Sequence, residues 1–129
     1  MVRKLEKAIN GEYSAIQCYE KLARMAPNET ERKQILEIRK DEIKHFQVFS
    51  QLYINLTGNQ LQPKVTEECP NSYKAGLEFA IQDEQETVDF YLETADGAAE
   101  RSIRKAFRRA AADEQNHAVW FLYYFVKNK

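Results

Sequence analysis

The chain has 129 residues, which suits one domain built around a single hydrophobic core. Its 19 basic and 20 acidic residues leave a net charge of -1, which provides no broad field for binding nucleic acid or an anionic membrane. Because it has no run of about 18 apolar residues and no apolar signal segment near the start, we expect a soluble, cytoplasmic domain covering residues 1–129.

Four amphipathic helices are predicted in chain order. The first covers about 2–26 and ends at Pro27, and the second begins at a capping box of Asn28 and Glu31. The second ends near Thr57-Gly58, the third runs from about residue 72 to Gly97, and the fourth fills the remainder. The predicted inward-facing apolar residues are Leu5, Ala8, Ile9, Ala15, Ile16, Leu22, Ala23, Ile35, Ile38, Phe49, Leu52, Leu56, Leu77, Ala80, Ile81, Val88, Ala95, Ile103, Phe107, Ala110, Phe121 and Tyr124.

The connections between these helices predict the topology. Helices one and two, and helices three and four, are joined by very short turns, so each pair forms an antiparallel hairpin. The 14 residues 58–71 between the hairpins reach about 46 Å when extended, and a helix of about 26 residues is about 39 Å long. This favours an all-α, ferritin-like four-helix bundle with a long crossover between helices two and three, over a simple up-down-up-down bundle with a slack loop.

The two hairpins are copies of one unit. Residues 5–54 aligned with 77–126 have 14 identities in 50 positions, which gives repeat halves of about 2–57 and 72–128. The repeated polar residues, at a constant offset of 72, are Glu12, Tyr19, Asp41, Glu42 and His45 in the first half and Glu84, Tyr91, Asp113, Glu114 and His117 in the second.

Six of these residues form the predicted metal-binding set. Each half has a Glu-x-x-His motif whose i, i+3 spacing directs both side chains to one face of the helix, together with a glutamate on the partner helix. In each hairpin the two glutamates are equidistant from the turn, so all of them lie near the middle of the bundle. The predicted ligands are Glu12, Glu42, His45, Glu84, Glu114 and His117.

Metal ions explain why these residues occupy core positions. Four unpaired carboxylates in an apolar interior would repel one another and would each cost several kcal/mol. Two divalent ions balance four carboxylates, and this mixture of oxygen and imidazole ligands suits iron, with manganese or zinc as alternatives. A duplicated bundle that keeps the geometry and binds metal weakly remains the alternative.

Two further pairs are predicted to support the ligands. A metal-bound histidine normally donates its other N–H to a carboxylate, and the pseudo-twofold symmetry favours the crossed pairs Asp41 with His117 and Asp113 with His45. Tyr19 and Tyr91 lie two turns after Glu12 and Glu84 on the same face, so they either bond a ligand carboxylate or transfer an electron, or simply fill the core.

The remaining residues yield three expectations. Cys18 and Cys69 form no Cys-x-x-Cys motif and are interpreted as buried or incidental thiols. Glu86 is expected to face solvent. The segment 118–126 is apolar all round, which predicts that either the crossover or, preferably, a second subunit of a homodimer covers its outer face.

Taken together, these motifs resemble the ferritin-like superfamily, and most closely the di-iron domain of rubrerythrin and its short relatives. The resemblance covers nearly the whole chain and uses Glu12, residues 41–45, Glu84 and residues 113–117. It implies a non-haem centre of two Fe ions that reacts with peroxide or dioxygen. Rubrerythrins typically have another glutamate where Thr87 stands, and their cysteine-rich rubredoxin module is not found, so turnover requires an external electron donor.

Three functions follow from the resemblance and the motifs. The favoured one is a rubrerythrin-like oxidoreductase, a peroxidase or oxidase, that reduces a small oxidant, peroxide or dioxygen, in oxidative-stress defence. The alternatives are a ferroxidase or iron-handling protein, and a structural bundle that metal only stabilises.

Overall fold

The computed structural model describes residues 1–129 as four long helices and no strand. Helix α1 spans Val2–Met25, α2 spans Glu29–Thr57, α3 spans Tyr73–Gly97 and α4 spans Arg101–Lys127. Asn28 caps α2, because its side chain accepts a hydrogen bond from the backbone N–H of Glu31, as the capping box predicts. Gly58 ends α2 with a φ of 78°, a left-handed conformation that favours glycine.

The helices form a ferritin-like bundle of two antiparallel hairpins, α1 with α2 and α3 with α4. Across the interface between hairpins, α1 packs on α3 and α2 packs on α4. The crossover runs beside α1 in the same direction: the backbone N–H of Lys64 bonds the Asn10 side chain, and the Lys21 ammonium bonds Asn71. It therefore spans the length of the bundle, and the predicted long crossover is correct.

A small polar network fixes the far end of the crossover. Glu31, at the start of α2, is only 2% exposed. Its carboxylate accepts hydrogen bonds from the Tyr73 hydroxyl at 2.6 Å and from the Asn128 side chain at 2.9 Å. The start of α2, the start of α3 and the end of α4 thus meet at one end of the bundle.

The interior contains two apolar clusters with a polar layer between them. One cluster, toward the crossover's beginning, includes Leu5, Phe49 and Phe107; the other includes Leu22, Ile35, Leu77 and Phe121. Nearly all of the predicted core residues are buried or partly buried. Leu56 is an exception at 41% exposed, because it lies in the last turn of α2, beyond the packed part of the bundle.

The interpretation of the cysteines as separate thiols was wrong. Cys18 of α1 and Cys69 of the crossover form a disulfide, with their Cα atoms 5.2 Å apart. The path of the crossover along α1 brings together two residues separated by 51 positions in sequence. None of the four helices has a stretch long and apolar enough to cross a membrane.

Candidate metal centre

The polar layer between the apolar clusters contains one glutamate from each helix. All four side chains are 2% exposed or less, which is unusual for ionisable carboxyl groups: Glu12, Glu42, Glu84 and Glu114. His45 and His117 are buried beside them. The structure thus brings together all six predicted ligands, and it does so because each lies at an inward-facing position near the middle of its helix.

These residues form two overlapping sets of four. Glu12 and His45 combine with Glu42 and Glu114 in one set, and Glu84 and His117 combine with the same two residues in the other. Within each set, one ligand atom from every member lies within 4.8 Å of all the others. Glu42 and Glu114 belong to both sets, so the two adjacent groups of candidate ligands share two carboxylates.

Both imidazoles direct the same ring nitrogen toward the centre. His45 Nδ1 lies 3.2 Å from Glu42 and 3.3 Å from both Glu12 and Glu114. His117 Nδ1 lies 3.0 Å from Glu84, and farther from the shared carboxylates. Donor atoms bound to one ion at about 2.1 Å are themselves about 3 Å apart when they are neighbours, so these spacings suit metal coordination.

Several buried atoms in this layer have no hydrogen-bond partner within the protein. They are Glu12 Oε1, Glu42 Oε1 and Oε2, His45 Nδ1 and Glu114 Oε1. Unpaired buried polar atoms are strongly unfavourable, and native proteins contain few of them. Their concentration on one point, in a mixed set of carboxylate and imidazole donors, fits a pair of divalent transition-metal ions.

The proton equilibria of the histidines reflect the surrounding carboxylates. Burial alone would lower the pKa of His45, but the adjacent carboxylates of Glu114 and Glu12 raise it to about 11. Burial would also lower the pKa of His117, but the adjacent carboxylates of Glu114 and Glu84 raise it to about 11 as well. Without metal, both imidazoles therefore carry a positive charge at neutral pH.

The glutamates respond to burial and to one another. Burial, followed by the charge of Glu114, raises the pKa of Glu12 to about 7 and raises those of Glu42 and Glu84 well above their usual range. For Glu114 itself, burial acts in the raising direction, but the adjacent imidazolium groups of His117 and His45 hold its pKa below the usual range. Protons thus balance the carboxylates in the metal-free protein, and two dications can replace them.

Each histidine also bonds an aspartate from the other repeat. His117 Nε2 lies 2.8 Å from Asp41 Oδ2, and His45 Nε2 lies 2.8 Å from Asp113 Oδ2. These are the crossed pairs expected from the pseudo-twofold symmetry. A carboxylate at Nε2 holds the N–H there and leaves the Nδ1 lone pair for a metal.

The two aspartates differ in their surroundings. Asp113 is 17% exposed in its side chain and is also bonded by the Arg109 guanidinium, whereas the Asp41 side chain is 48% exposed. Burial alone would raise the pKa of Asp113, but the hydrogen bonds from Arg109 and His45 lower it below its usual value. Asp113 therefore remains a carboxylate, and Arg109 helps to hold it beside His45.

The two tyrosines form a second crossed pair of contacts. The Tyr19 hydroxyl donates to Glu84 Oε1 at 2.6 Å, and the Tyr91 hydroxyl donates to Glu12 Oε2 at 2.5 Å. Both phenols are 1% exposed, and burial raises the pKa of each well above its ordinary value. They remain protonated donors that fix the two unshared glutamates.

A cavity of about 270 Å³ leads from the surface to the carboxylates. Glu12, Glu42 and Glu114 line its inner part, and Thr66 and Glu67 of the crossover line its wall together with Asp83 and Thr87 of α3. Glu86 is exposed, as expected. The position that rubrerythrins typically fill with glutamate is thus occupied by Thr87 at the cavity.

Sequence reasoning missed the acidic pair Asp83 and Glu67 in this cavity. Burial, followed by the charge of Glu67, raises the pKa of Asp83 to about 8. Asp83 immediately precedes the candidate ligand Glu84 in the sequence, and this position was the only sign of its importance. Nothing in the sequence pointed to Glu67, because its position depends on how the crossover lies against α1.

Comparison with known proteins supports this arrangement. The family model described as Rubrerythrin matches residues 75–129, which include Glu84, Asp113, Glu114 and His117. The uncharacterized protein YhjR of Bacillus subtilis (strain 168) is 57% identical over 127 residues, an alignment that covers 98% of this chain and 88% of YhjR.

A solved structure of a hypothetical protein from Pyrococcus furiosus shares the fold. It aligns with a TM-score of 0.81 at 21% identity and covers 96% of this chain and 87% of that one. At this identity the similarity concerns the fold alone. The chain therefore belongs to one family with YhjR, and its residues 75–129 match a Rubrerythrin domain of the ferritin-like superfamily.

Proposed function

We propose that this chain is a non-haem di-iron protein that reduces hydrogen peroxide or dioxygen. One observation carries the proposal: two sets of four buried ligand atoms share Glu42 and Glu114, and several of these atoms have no partner within the protein. Glu42 and Glu114 would contribute ligand atoms to both ion positions. Glu12 with His45, and Glu84 with His117, would complete one ion position each.

When bound, a pair of ferrous ions would supply two electrons to a small oxidant, one from each ion. The chain's own residues would hold the site for that reaction. Tyr19 and Tyr91 would keep the unshared glutamates in place, and Asp41 and Asp113 would hold the histidine Nε2–H groups. Preorganised ligands lower the reorganisation needed when the charge at the centre changes.

The cavity supports a small substrate. Its volume of about 270 Å³ accommodates peroxide or dioxygen together with several waters, at about 30 Å³ for each water. Its inner wall consists of the carboxylates Glu12, Glu42 and Glu114, so an oxidant within it lies beside the proposed ions. We place no organic substrate there.

The test begins with metal analysis of anaerobically purified protein, followed by one equivalent of peroxide. We expect two iron ions per chain and rapid loss of both ferrous ions, followed with a ferrous chelator and by absorption. Glu84→Gln should lose iron, while Glu86→Gln, which changes an exposed acid two residues away, should behave as the unmodified protein. Ferrous protein that survives minutes of excess peroxide would reject the proposal.

A second candidate is a ferroxidase or iron-handling role, and the Asp83–Glu67 pair favours it. These two acidic residues line the same cavity as the proposed ligands, and a cation entering it would displace the proton that Asp83 keeps at neutral pH. In that case the protein would take up or transfer iron beyond two ions per chain. Titration with ferrous iron in air, followed by desalting and iron analysis, separates this role from simple turnover.

A third candidate is a bundle that metal only stabilises. Redox-inert zinc would then raise the unfolding temperature as much as iron does, and the iron form would show no reaction with an oxidant. Thermal unfolding of the zinc and iron forms, measured beside the peroxide reaction, distinguishes this possibility.

We further propose that the protein is a cytoplasmic homodimer that uses an external electron donor. The crossover lies along α1, so it leaves uncovered the outer face of α4 that was expected to be buried. Four residues on that face are 50% exposed or more: Val119, Leu122, Tyr123 and Val126. Their i, i+3, i+4, i+7 spacing makes one stripe, and a twofold axis would pack it against its own copy.

A further inference from the structure

The Cys18–Cys69 disulfide lies beside the proposed metal centre. Cys18 is 4% exposed within α1, and Cys69 is partly exposed on the crossover. The next residue after Cys18 is Tyr19, whose hydroxyl donates to the proposed ligand Glu84. The disulfide is therefore one residue and one hydrogen bond away from the ligand set.

Two neighbouring cavities also connect the disulfide with the centre. A small cavity is lined by Cys18 and Tyr19 together with Ala15, Glu67 and Asp83. The last three residues also line the larger cavity that reaches the ligand carboxylates. The buried sulfur thus lies on the same side of the centre as the proposed oxidant.

Hydrogen bonds on both sides of the disulfide also attach the crossover to α1. The backbone N–H of Thr66 bonds the Ser14 hydroxyl at 2.9 Å, on one side of the disulfide. On the other side, the Lys21 ammonium bonds the Asn71 side chain at 2.6 Å. The pair can therefore open to two thiols while the crossover keeps its position.

We propose that Cys18 and Cys69 alternate between dithiol and disulfide and supply the electrons that the centre transfers to the oxidant. This inference rests on the proposed function. Each thiol gives up one electron and one proton, and a sulfur–sulfur bond forms between them. Peroxide accepts the two electrons and two protons, its O–O bond breaks, and two waters are produced.

The same chemistry identifies the class of electron donor as a dithiol. A thiolate of the donor attacks the Cys69 sulfur, which is the more accessible of the two, and Cys18 leaves as a thiolate. The donor's second thiol then resolves the mixed disulfide and releases Cys69. The donor becomes a disulfide, and its two electrons have replaced those taken by peroxide. In a reducing compartment, disulfides of this catalytic kind are transient.

The test compares iron and zinc in the same protein. Full-length protein is reduced with dithiothreitol, desalted anaerobically, loaded with ferrous iron or with zinc, and mixed with one equivalent of peroxide. After quenching with iodoacetamide, mass spectrometry counts the thiols that remain, and a chelator measures ferrous iron. We expect the iron form to lose both thiols while the zinc form still retains most of its own, and we expect most of the iron to be recovered as ferrous.

The variant Cys18→Ala/Cys69→Ser provides the matched comparison, with circular dichroism as a check of its fold. In this variant, peroxide should oxidise all of the ferrous iron to ferric iron, and no ferrous iron should re-form because the thiols are missing. Equal rates of thiol loss with iron and zinc would mean that peroxide oxidises the thiols directly, which overturns the inference. Thiols that persist while ferrous iron is consumed also overturn it, yet leave the proposed function intact. Ferrous iron that does not react at all rejects the proposed function, and this inference with it.

Discussion

Tyr19, in the first repeat, donates its phenolic hydrogen to Glu84, in the second repeat, at a distance of 2.6 Å. The equivalent bond runs in the opposite direction, from Tyr91 to Glu12. The aspartate–histidine pairs cross between the repeats in the same way. Each proposed ion position therefore depends on support from both hairpins, so the site forms only when the hairpins are docked.

Tyr19→Phe tests this dependence. The change removes one hydroxyl from a buried hydrogen bond and leaves Glu84 Oε1 without that donor, so we expect a loss of about 1–3 kcal/mol in unfolding free energy. The affinity for one of the two ions should fall as well, because Glu84 belongs to only one ligand set. Denaturant unfolding and metal titration measure these two effects.

Tyr13→Phe is the matched control for that variant. Tyr13 is partly exposed in the same helix, its ring packs on Phe46 and its hydroxyl bonds no proposed ligand, so its removal should change neither quantity. Unchanged stability and metal binding in Tyr19→Phe would show that the phenol only fills space.

The aspartates are expected to contribute unequally to metal affinity. Asp113→Asn removes a mostly buried carboxylate that Arg109 also holds, whereas Asp41→Asn changes a half-exposed one. Loss of a carboxylate that orients a ligand histidine typically lowers metal affinity by about 10–100-fold. We expect Asp113→Asn to fall within that range and Asp41→Asn to lose less, measured by competition with a chromophoric chelator. Equal affinities for both variants and the unmodified protein would contradict the assigned role of the pairs.

The sequence contained enough to predict the centre because its geometry follows from helix periodicity and chain duplication. The i, i+3 spacing of Glu42 and His45 determines their common face. Glu12 and Glu42 are the same number of residues from the turn that joins α1 and α2, so they lie at the same level along the bundle axis. The pseudo-twofold symmetry then predicts that Asp113 meets His45, and the structure has this contact.

The remaining features depend on distances that no periodic pattern encodes. The pairing of Cys18 with Cys69 requires the exact path of an irregular crossover along α1. The acidic neighbour Glu67 enters the cavity for the same reason. The spacing of Tyr19 indicated a contact with a carboxylate, but only the packing of α1 against α3 selects Glu84.

Metal binding should release protons. At neutral pH the metal-free protein keeps both imidazoles protonated, because the carboxylates raise the pKa of His45 and of His117 to about 11. A metal binds only the neutral imidazole, so loading should release one proton from each histidine and therefore at least two protons in all. Calorimetry in two buffers of different ionisation enthalpy measures this number, and binding without proton release would contradict it.

The same protonation states determine how the metal-free protein responds to pH. A histidine with a pKa raised from 6.5 in the unfolded chain to about 11 stabilises the fold fully below pH 6.5, and this contribution is lost as the pH rises through 11. Metal affinity should show the opposite trend and increase with pH. Unfolding curves of the metal-free form and metal titrations at several pH values compare the two trends.

Leu122→Glu tests the proposed dimer. Leu122 is 50% exposed in the middle of the apolar stripe of α4, so a charge there would be buried without a partner in a twofold interface. We expect the variant to be monomeric by light scattering at concentrations where the unmodified protein is dimeric. Leu36→Glu, at a 37% exposed position on α2, should leave the dimer intact. A monomeric unmodified protein at micromolar concentration would reject the dimer.

Thr87→Glu places a carboxylate at the cavity, at the position that rubrerythrins typically fill with one. Thr87 lines the cavity near Glu12 and Asp83, so a new glutamate there adds negative charge beside existing carboxylates. Without metal, we expect the variant to be about 1–3 kcal/mol less stable, because a poorly compensated polar group is desolvated. With iron, the new carboxylate becomes an additional ligand, so metal affinity should rise and the loss of stability should disappear.

Thr87→Gln separates charge from size, since it fills the same volume without adding a carboxylate. Both variants should slow the reaction with peroxide, because each narrows the route to Glu12 and Glu42. Only Thr87→Glu should bind iron more tightly than the unmodified protein. If Thr87→Gln raises the iron affinity as much as Thr87→Glu does, the gain comes from packing, and the side chain at position 87 does not face the ions. If neither variant slows the peroxide reaction, the oxidant reaches the centre by another route, and the small side chain at position 87 has no role in access.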